Sequence, residues 1–324
     1  MKLMLDIDIP SPPRKIEHQD PIMLVGSCFT EHIGGQLIEN KYNVLQNPNG
    51  IVFDPESVSR SLISYTRGQQ VQESDLFQLN ELWHHWQFHS RFSGIRKEEV
   101  TFNMNASVAQ AHAFLKKARW LIITLGTSFS YRLVSSGLPV ANCHRAPAPA
   151  FRKHLMSIEE INTSLDSCLH QLFHFNPDLQ VIFTVSPVRH IRDGVIENNR
   201  SKARLIEVVH HLVNKFDRLF YFPAYELVID VLRDHRFYDL DLVHPNYQAT
   251  QFVLDKFLEN YASADSMELW KELKPLLNAY RHKPFESQTN AHKKFLALNL
   301  QKALELKKNY PYIDLQQEIT YFSA

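Results

Sequence analysis

Five short apolar runs punctuate the chain, at residues 21–27 (PIMLVGS), 42–47 (YNVLQN), 119–126 (RWLIITLG), 179–186 (LQVIFTVS) and 218–224 (RLFYFPA). Each is a block of apolar residues with little polar alternation, the mark of a strand covered on both faces. Between them lie stretches with helical spacing: FTEHIGGQLIENK, DPESVSRSLISYTR, NASVAQAHAFLKKA, SIEEINTSLDSCLHQLFHF and NNRSKARLIEVVHHLVNKF. Two of these carry helix-start chemistry. Asp54-Pro55-Glu56 supplies a cap, a proline for the first turn and an acid, and Ser157 with Glu160 has capping-box spacing. Strands alternating with helices predict an α/β fold around a parallel sheet with helices on both faces.

In such sheets ligands bind at the carboxyl ends of the strands. Gly26-Ser27-Cys28, Asn49-Gly50, Gly126-Thr127 and Ser186-Pro187 all fall there. Two segments interrupt the alternation. Residues 75–94 (DLFQLNELWHHWQFHSRFSG) are rich in aromatics and predict a hairpin or cap within an insertion spanning about 70–105. From about Met267 the pattern is helical and charged as far as Lys308, then extended. The expected division is one domain over 1–262 and a helical C-terminal extension over 263–324 packed on it.

Composition narrows the function classes. The 324 residues carry 35 Lys+Arg against 35 Asp+Glu, with 44% hydrophobic residues, as in an ordinary globular protein without the basic face of a nucleic-acid binder. No apolar run is long enough to insert in a membrane, and the N-terminus is a poor signal peptide, so a cytoplasmic location is expected. The three cysteines, Cys28, Cys143 and Cys168, lack metal-site spacing and are expected as free thiols. Glycine is scarce, at 9 residues, and neither G-x-G-x-x-G nor G-x-x-x-x-G-K-[ST] occurs, so no nucleotide cofactor is implied.

Two nucleophiles, Ser27 and Cys28, stand side by side where the first predicted strand ends. A nucleophile needs a base and the base needs an orienting group. Asp241 and His244, in FYDLDLVHPNYQAT, stand three apart, a spacing that lets the carboxylate hold one ring nitrogen while the other faces the nucleophile. Pro245-Asn246 marks a shaped turn there.

GSCF after a strand, NPNGIVFDP, LGTSFSY, VANCHR, FTVSPVRH and DLVHPN, in this order, resemble the GSCFA family, a relative of the GDSL/SGNH hydrolases. The resemblance runs from about Pro21 to Thr250, with a family-like helical tail; the final Ala of the family name is Thr30 here. It implies a flavodoxin-like three-layer fold with a five-stranded parallel sheet ordered 2-1-3-4-5, and it implies that Asp241 and His244 carry the SGNH Asp-x-x-His. The SGNH nucleophile lies two residues after its glycine. That position is Cys28, with Ser27 in the place of Asp, where it is expected to hold the turn through a backbone hydrogen bond. Gly50 matches the second-block glycine of the oxyanion hole. The third-block Asn has no counterpart: Thr127 or Ser128 stands there, and Asn142 is the alternative amide.

The resemblance implies an esterase, deacetylase or acyltransferase working through a covalent acyl-enzyme on a small-molecule or glycan substrate, such as a cell-surface polysaccharide or cell-wall precursor. The competing reading is a non-catalytic binding module that keeps fold and pocket. If the triad forms, the His244 ring is expected within ~3–4 Å of Cys28 or Ser27. Arg189 and His190 follow a strand end and fit either an anion contact or an ion pair. Asn142-Cys143-His144-Arg145 fits either a substrate-contacting loop or a capped turn, with His144 on the substrate side in the first case. His84, His85 and His89 have no carboxylate nearby that completes a ligand set, and they read as cap packing with Trp83, Trp86 and Phe88 rather than a metal site.

Overall fold

The computed structural model describes residues 5–323. Its strands are, in chain order, β1 (Ile22–Gly26), β2 (Val44–Gln46), β3 (Phe77–Leu79), β4 (Leu82–His84), β5 (Trp120–Leu125), β6 (Phe129–Leu133), β7 (Pro139–Val140), β8 (Phe151–Leu155), β9 (Gln180–Val185) and β10 (Leu219–Tyr221). The helices are α1 (Cys28–Glu39), α2 (Pro55–Arg67), α3 (Lys97–Lys117), α4 (Ile158–Phe175), α5 (Gly194–Lys215), α6 (Ala224–Glu226, continued by a π-helical turn, Leu227–Leu232), α7 (Tyr247–Tyr261), α8 (Ala264–Arg281), α9 (Asn290–Asn309) and α10 (Gln316–Phe322).

The central sheet contains the five predicted strands, all parallel, in the order β10-β9-β5-β1-β2. This is the flavodoxin-like 2-1-3-4-5 arrangement. Alternation along each strand sorts its side chains between two layers. Met23, Val25, Leu121, Ile123, Val181 and Phe183 pack under α2, α3, α4 and α5. Ile22, Leu24, Trp120, Ile122 and Ile182 pack on the opposite face, with α1, α7 and the π-helical turn. Both predicted helix starts form. Asp54 accepts the Ser57 N–H at 3.0 Å with Pro55 in the first turn, and Ser157 and Glu160 close a reciprocal capping box.

The aromatic segment forms the β3–β4 hairpin, with Phe77 opposite His84. Three features depart from the hydrophobic pattern. A second antiparallel sheet, β7-β6-β8, inserts between β5 and α4. Its strand β8 reads FRKHL with both faces largely wet, so no apolar run announced it. Helix α3 begins at Lys97 rather than near residue 105, because exposed Lys97, Glu98 and Glu99 form its first turn. The stretch after Lys308 is not extended: Ile313 and Leu315 drop into the α8–α9 core, and α10 follows. That core, with Leu269, Leu273, Leu276, Ala303 and Leu306, is distinct from the two sheet layers. Among the described residues no helix is long and apolar enough to cross a membrane.

Candidate active site

The carboxyl ends of β1, β5 and β9 open into a cavity of about 580 Å³. Ser27, Cys28, Thr127, Asn142, Arg189, Asp241 and His244 all line it. Gly26 ends β1 in a crowded spot: a Cβ there would lie 2.4 Å from the Thr124 carbonyl oxygen and 2.6 Å from Thr30 Oγ1. Glycine is therefore what lets the chain turn at once into α1.

Cys28 is the first residue of α1 and is half-buried, while Ser27 is buried at the cap position. Ser27 makes no side-chain cap hydrogen bond, and its buried Oγ has no partner. The Ser27 side chain thus makes no hydrogen bond to the turn, which is held instead by the Thr30 N–H on the Ser27 carbonyl, at 2.9 Å. Burial pushes the Cys28 thiol up, opposed by the first-turn N–H groups of Phe29 and Cys28. Helix geometry leaves those amides without intrahelical partners.

His244 and Asp241 sit in the turn before α7. The His244 Nδ1 lies 2.7 Å from Asp241 Oδ2. Asn246 caps α7 by accepting the Ala249 N–H at 3.1 Å and ties the turn to the Arg236 carbonyl at 2.7 Å. Cys28, Ser27 and His244 share the cavity, and among the described residues no hydrogen bond joins the His244 ring to either nucleophile.

Gly50 is not brought to the cavity wall. Its N–H is spent on the Asn47 carbonyl at 2.7 Å, closing a turn at φ +81°, and His89 packs where a Cβ would be. Thr127 lines the cavity with its hydroxyl 2.9 Å from Ser201 Oγ, while Ser128 is buried against the same serine. Asn142 Oδ1 accepts the His144 N–H at 2.9 Å, which makes this segment a capped turn with Asn142 and Cys143 on the cavity. His144 points away from the cavity. Its ring lies 3.0 Å from the His85 carbonyl oxygen and 3.2 Å from Ser90 Oγ, and burial pulls its pKa down to about 4. Arg189 lies over the Tyr238 ring at 4.6 Å, and its N–H reaches the Val243 carbonyl at 3.3 Å, coupling the β9 loop to the His244 loop.

The hairpin packs as aromatics: Trp86 stacks on Phe77 at 3.6 Å, and His84 lies 4.5 Å from His144. His89 is the one member of that histidine group on the cavity wall. Among the described residues no group of three His, Cys, Asp or Glu is placed to hold a metal ion.

The sequence reading overlooked one residue beneath this site. Lys202 of α5 is fully buried and donates to the Gly126 carbonyl at 2.5 Å and the Ser186 carbonyl at 2.6 Å. Its signal was present: Asn198, Ser201, Lys202, Leu205, Val208, Val209 and Leu212 form one buried helical stripe.

The family model described as "GSCFA family" matches residues 21–257, and "GSCFA domain protein, C-terminal domain" matches residues 273–324. No curated protein matches the chain. Among solved structures, a Clostridium thermocellum family 3 carbohydrate esterase is similar at 12% identity and TM-score 0.34, over 79% of this chain and 98% of that one. An acetyl xylan esterase (Est2A) from the rumen bacterium Butyrivibrio proteoclasticus is similar at 12% identity and TM-score 0.27, over 84% of this chain and 66% of that one.

Proposed function

The chain belongs to the GSCFA family, and from that premise we propose that it is an SGNH-type acyl enzyme that cleaves an ester through a thioester on Cys28. The observation that carries the reading is the His244–Asp241 pair, at 2.7 Å, on the same cavity wall as a thiol at a helix N-terminus. Cys28 Sγ attacks the acyl carbon and its proton passes to His244 Nε2. The tetrahedral intermediate expels the alkoxide, which takes that proton. Water, or a sugar hydroxyl, then attacks the thioester with His244 again as base, and the thiol is restored. Asp241 fixes the ring with Nδ1 as donor, leaving Nε2 free to accept.

The N–H of Cys28 and the Asn142 amide are the proposed oxyanion donors. Gly50 is replaced in this role because its N–H is engaged elsewhere. Phe53, Phe129 and Tyr131 give the cavity apolar surface beside Asn142 and Lys153, a lining suited to an acylated glycan or other small ester.

Cys28 is preferred to Ser27 because the thiol is the less buried of the two and stands on the first-turn amides. Intact-mass spectrometry with an activated ester tests the scheme on the wild type, Cys28→Ala, Ser27→Ala and His244→Ala. The expected result is an acyl adduct in the wild type and Ser27→Ala, none in Cys28→Ala, and slow formation in His244→Ala. An adduct that survives Cys28→Ala and disappears in Ser27→Ala moves the nucleophile by one residue. No adduct in any protein, together with tight ligand binding, makes the molecule a binding module.

A further inference from the structure

Lys202 is a charged side chain with almost no exposure, and among the described residues no carboxylate pairs with it. Its two acceptors are neutral carbonyls. They lie at one level of the sheet: Gly26 pairs with Thr124 and Thr124 with Thr184, so Gly126 and Ser186 leave the sheet side by side where β1 turns into Cys28. Neighbouring strands are about 4.8 Å apart. The ammonium thus lies level with the start of α1, and each of its acceptors is followed within two residues by one on the cavity wall, Thr127 and Val188.

The groups around this point are few. Tyr225 faces Lys202 with its ring centre 6.0 Å from Nζ. His190, on the β9 loop, is pushed down to about 4 by burial and then by Lys202. Asp193, Lys153 and His244 act on His190 more weakly. Glu31, one turn along α1, opposes ionisation of Cys28. Burial draws Lys202 down to about 7, and Cys28 acts against this.

We propose that Lys202 is a positioning residue whose buried ammonium is the counter-charge for the Cys28 thiolate formed when His244 takes the thiol proton. The inference rests on Cys28 being the nucleophile proposed above. It explains why one charged side chain stands in the buried stripe of α5. A purely structural lysine would tie the two strand ends together and leave the thiol alone.

The test reads thiol ionisation directly. Cys28 is alkylated with iodoacetamide from about pH 6 to about pH 10, and the site is located by peptide mass spectrometry. The wild type is compared with Lys202→Gln, which keeps N–H donors, and with Lys202→Met and Lys202→Arg. Loss of the charge is expected to move the Cys28 profile up by about one pH unit, so that alkylation near neutral pH slows about tenfold and converges with the wild type in alkali. Lys202→Arg is expected to restore the wild-type profile. An unchanged profile in a folded Lys202→Gln or Lys202→Met protein overturns the proposal, whatever happens to the melting temperature.

A second measurement needs no Lys202 variant. Coupling is reciprocal, so NMR titration of 13C-labelled lysine side chains is expected to show the low-pKa lysine titrating higher in Cys28→Asp, which fixes a negative charge in the thiol's place; no movement overturns the proposal. Turnover of an activated ester by Cys28→Ala reports separately on the nucleophile. Failure of that reading is therefore distinguishable from failure of this one.

Discussion

Asp241 grips His244 with both of its oxygens: Oδ2 lies 2.7 Å from the ring Nδ1, and Oδ1 accepts the His244 backbone N–H at 3.0 Å. Oδ1 also takes the Val243 N–H at 2.9 Å. These contacts, the ring hydrogen bond foremost, hold the Asp241 carboxyl down to about 2, so it is ionised across the working range. Leu242 closes the loop between them in the left-handed region, at φ +56°. A non-glycine residue there costs backbone energy, and such strain concentrates where a side chain must be aimed.

Asp241→Asn is the sharpest test of this arrangement. The amide can turn its N–H toward the ring and force the wrong tautomer. Turnover of an activated ester is expected to fall by about 10²–10⁴-fold. Asp241 is exposed, so the melting temperature should hardly move. A variant that keeps turnover within a few-fold of the wild type removes Asp241 from the scheme.

Gly50 gives a different signature. A methyl at this position would meet His89 Cβ at 2.1 Å, and the backbone sits at φ +81°. Gly50→Ala is expected to cost about 2–4 kcal/mol in urea unfolding, from strain and overpacking together. The loss should appear as instability and a displaced hairpin, because the Gly50 N–H is bound to Asn47 and not to the cavity. Full stability with a selective loss of turnover would return Gly50 to the oxyanion hole.

How far the sequence could be read depends on how each element earns its burial. The central strands bury both faces and leave apolar runs that stand out, and Gly26, Gly126 and Ser186 mark their ends. Asp241 and His244 were legible because their relation is local, three residues apart. Two kinds of feature were not. Strand β8 has an outer face of Arg152 and His154 and so resembles a loop. The role of Gly50 depends on His89, 39 positions away, which only the tertiary fold brings against it. Lys202 lay in plain view as the charged member of a buried stripe, but its meaning rests on two carbonyls that follow different strands.

Stability should fall on the acid side in a defined window. Burial lowers His18, His144 and His190 to about 4 each in the folded protein. The unfolded chain takes up these protons near about pH 6.5, before the folded protein does. The stabilising contribution is therefore whole above about pH 6.5 and is lost as pH falls toward 4. The urea midpoint is expected to drop across that interval, and His18→Gln, which removes a ring stacked on Tyr42 at 3.8 Å, should flatten the slope while lowering the plateau. A flat profile from neutrality to pH 4 would mean these rings are already accessible to protons.

Asp54 behaves in the opposite sense. It caps α2 through the Ser57 N–H at 3.0 Å and is buried beside the cavity, where burial pushes its carboxyl up to about 6 in spite of that hydrogen bond. The folded protein thus holds a proton that the unfolded chain releases near about pH 4. Its contribution is whole below that pH and is lost as pH rises through about 6. Asn is an equally good cap and carries no charge. Asp54→Asn is therefore expected to be more stable than the wild type at about pH 8, by about 1–3 kcal/mol. The gap should close as pH falls toward 4. Urea unfolding at several pH values across this interval checks both the sign and the closure. A wild type that stays the more stable protein in mild alkali would show that the ionised carboxylate is welcome at the cap, and that the space around Asp54 is wetter than its burial implies.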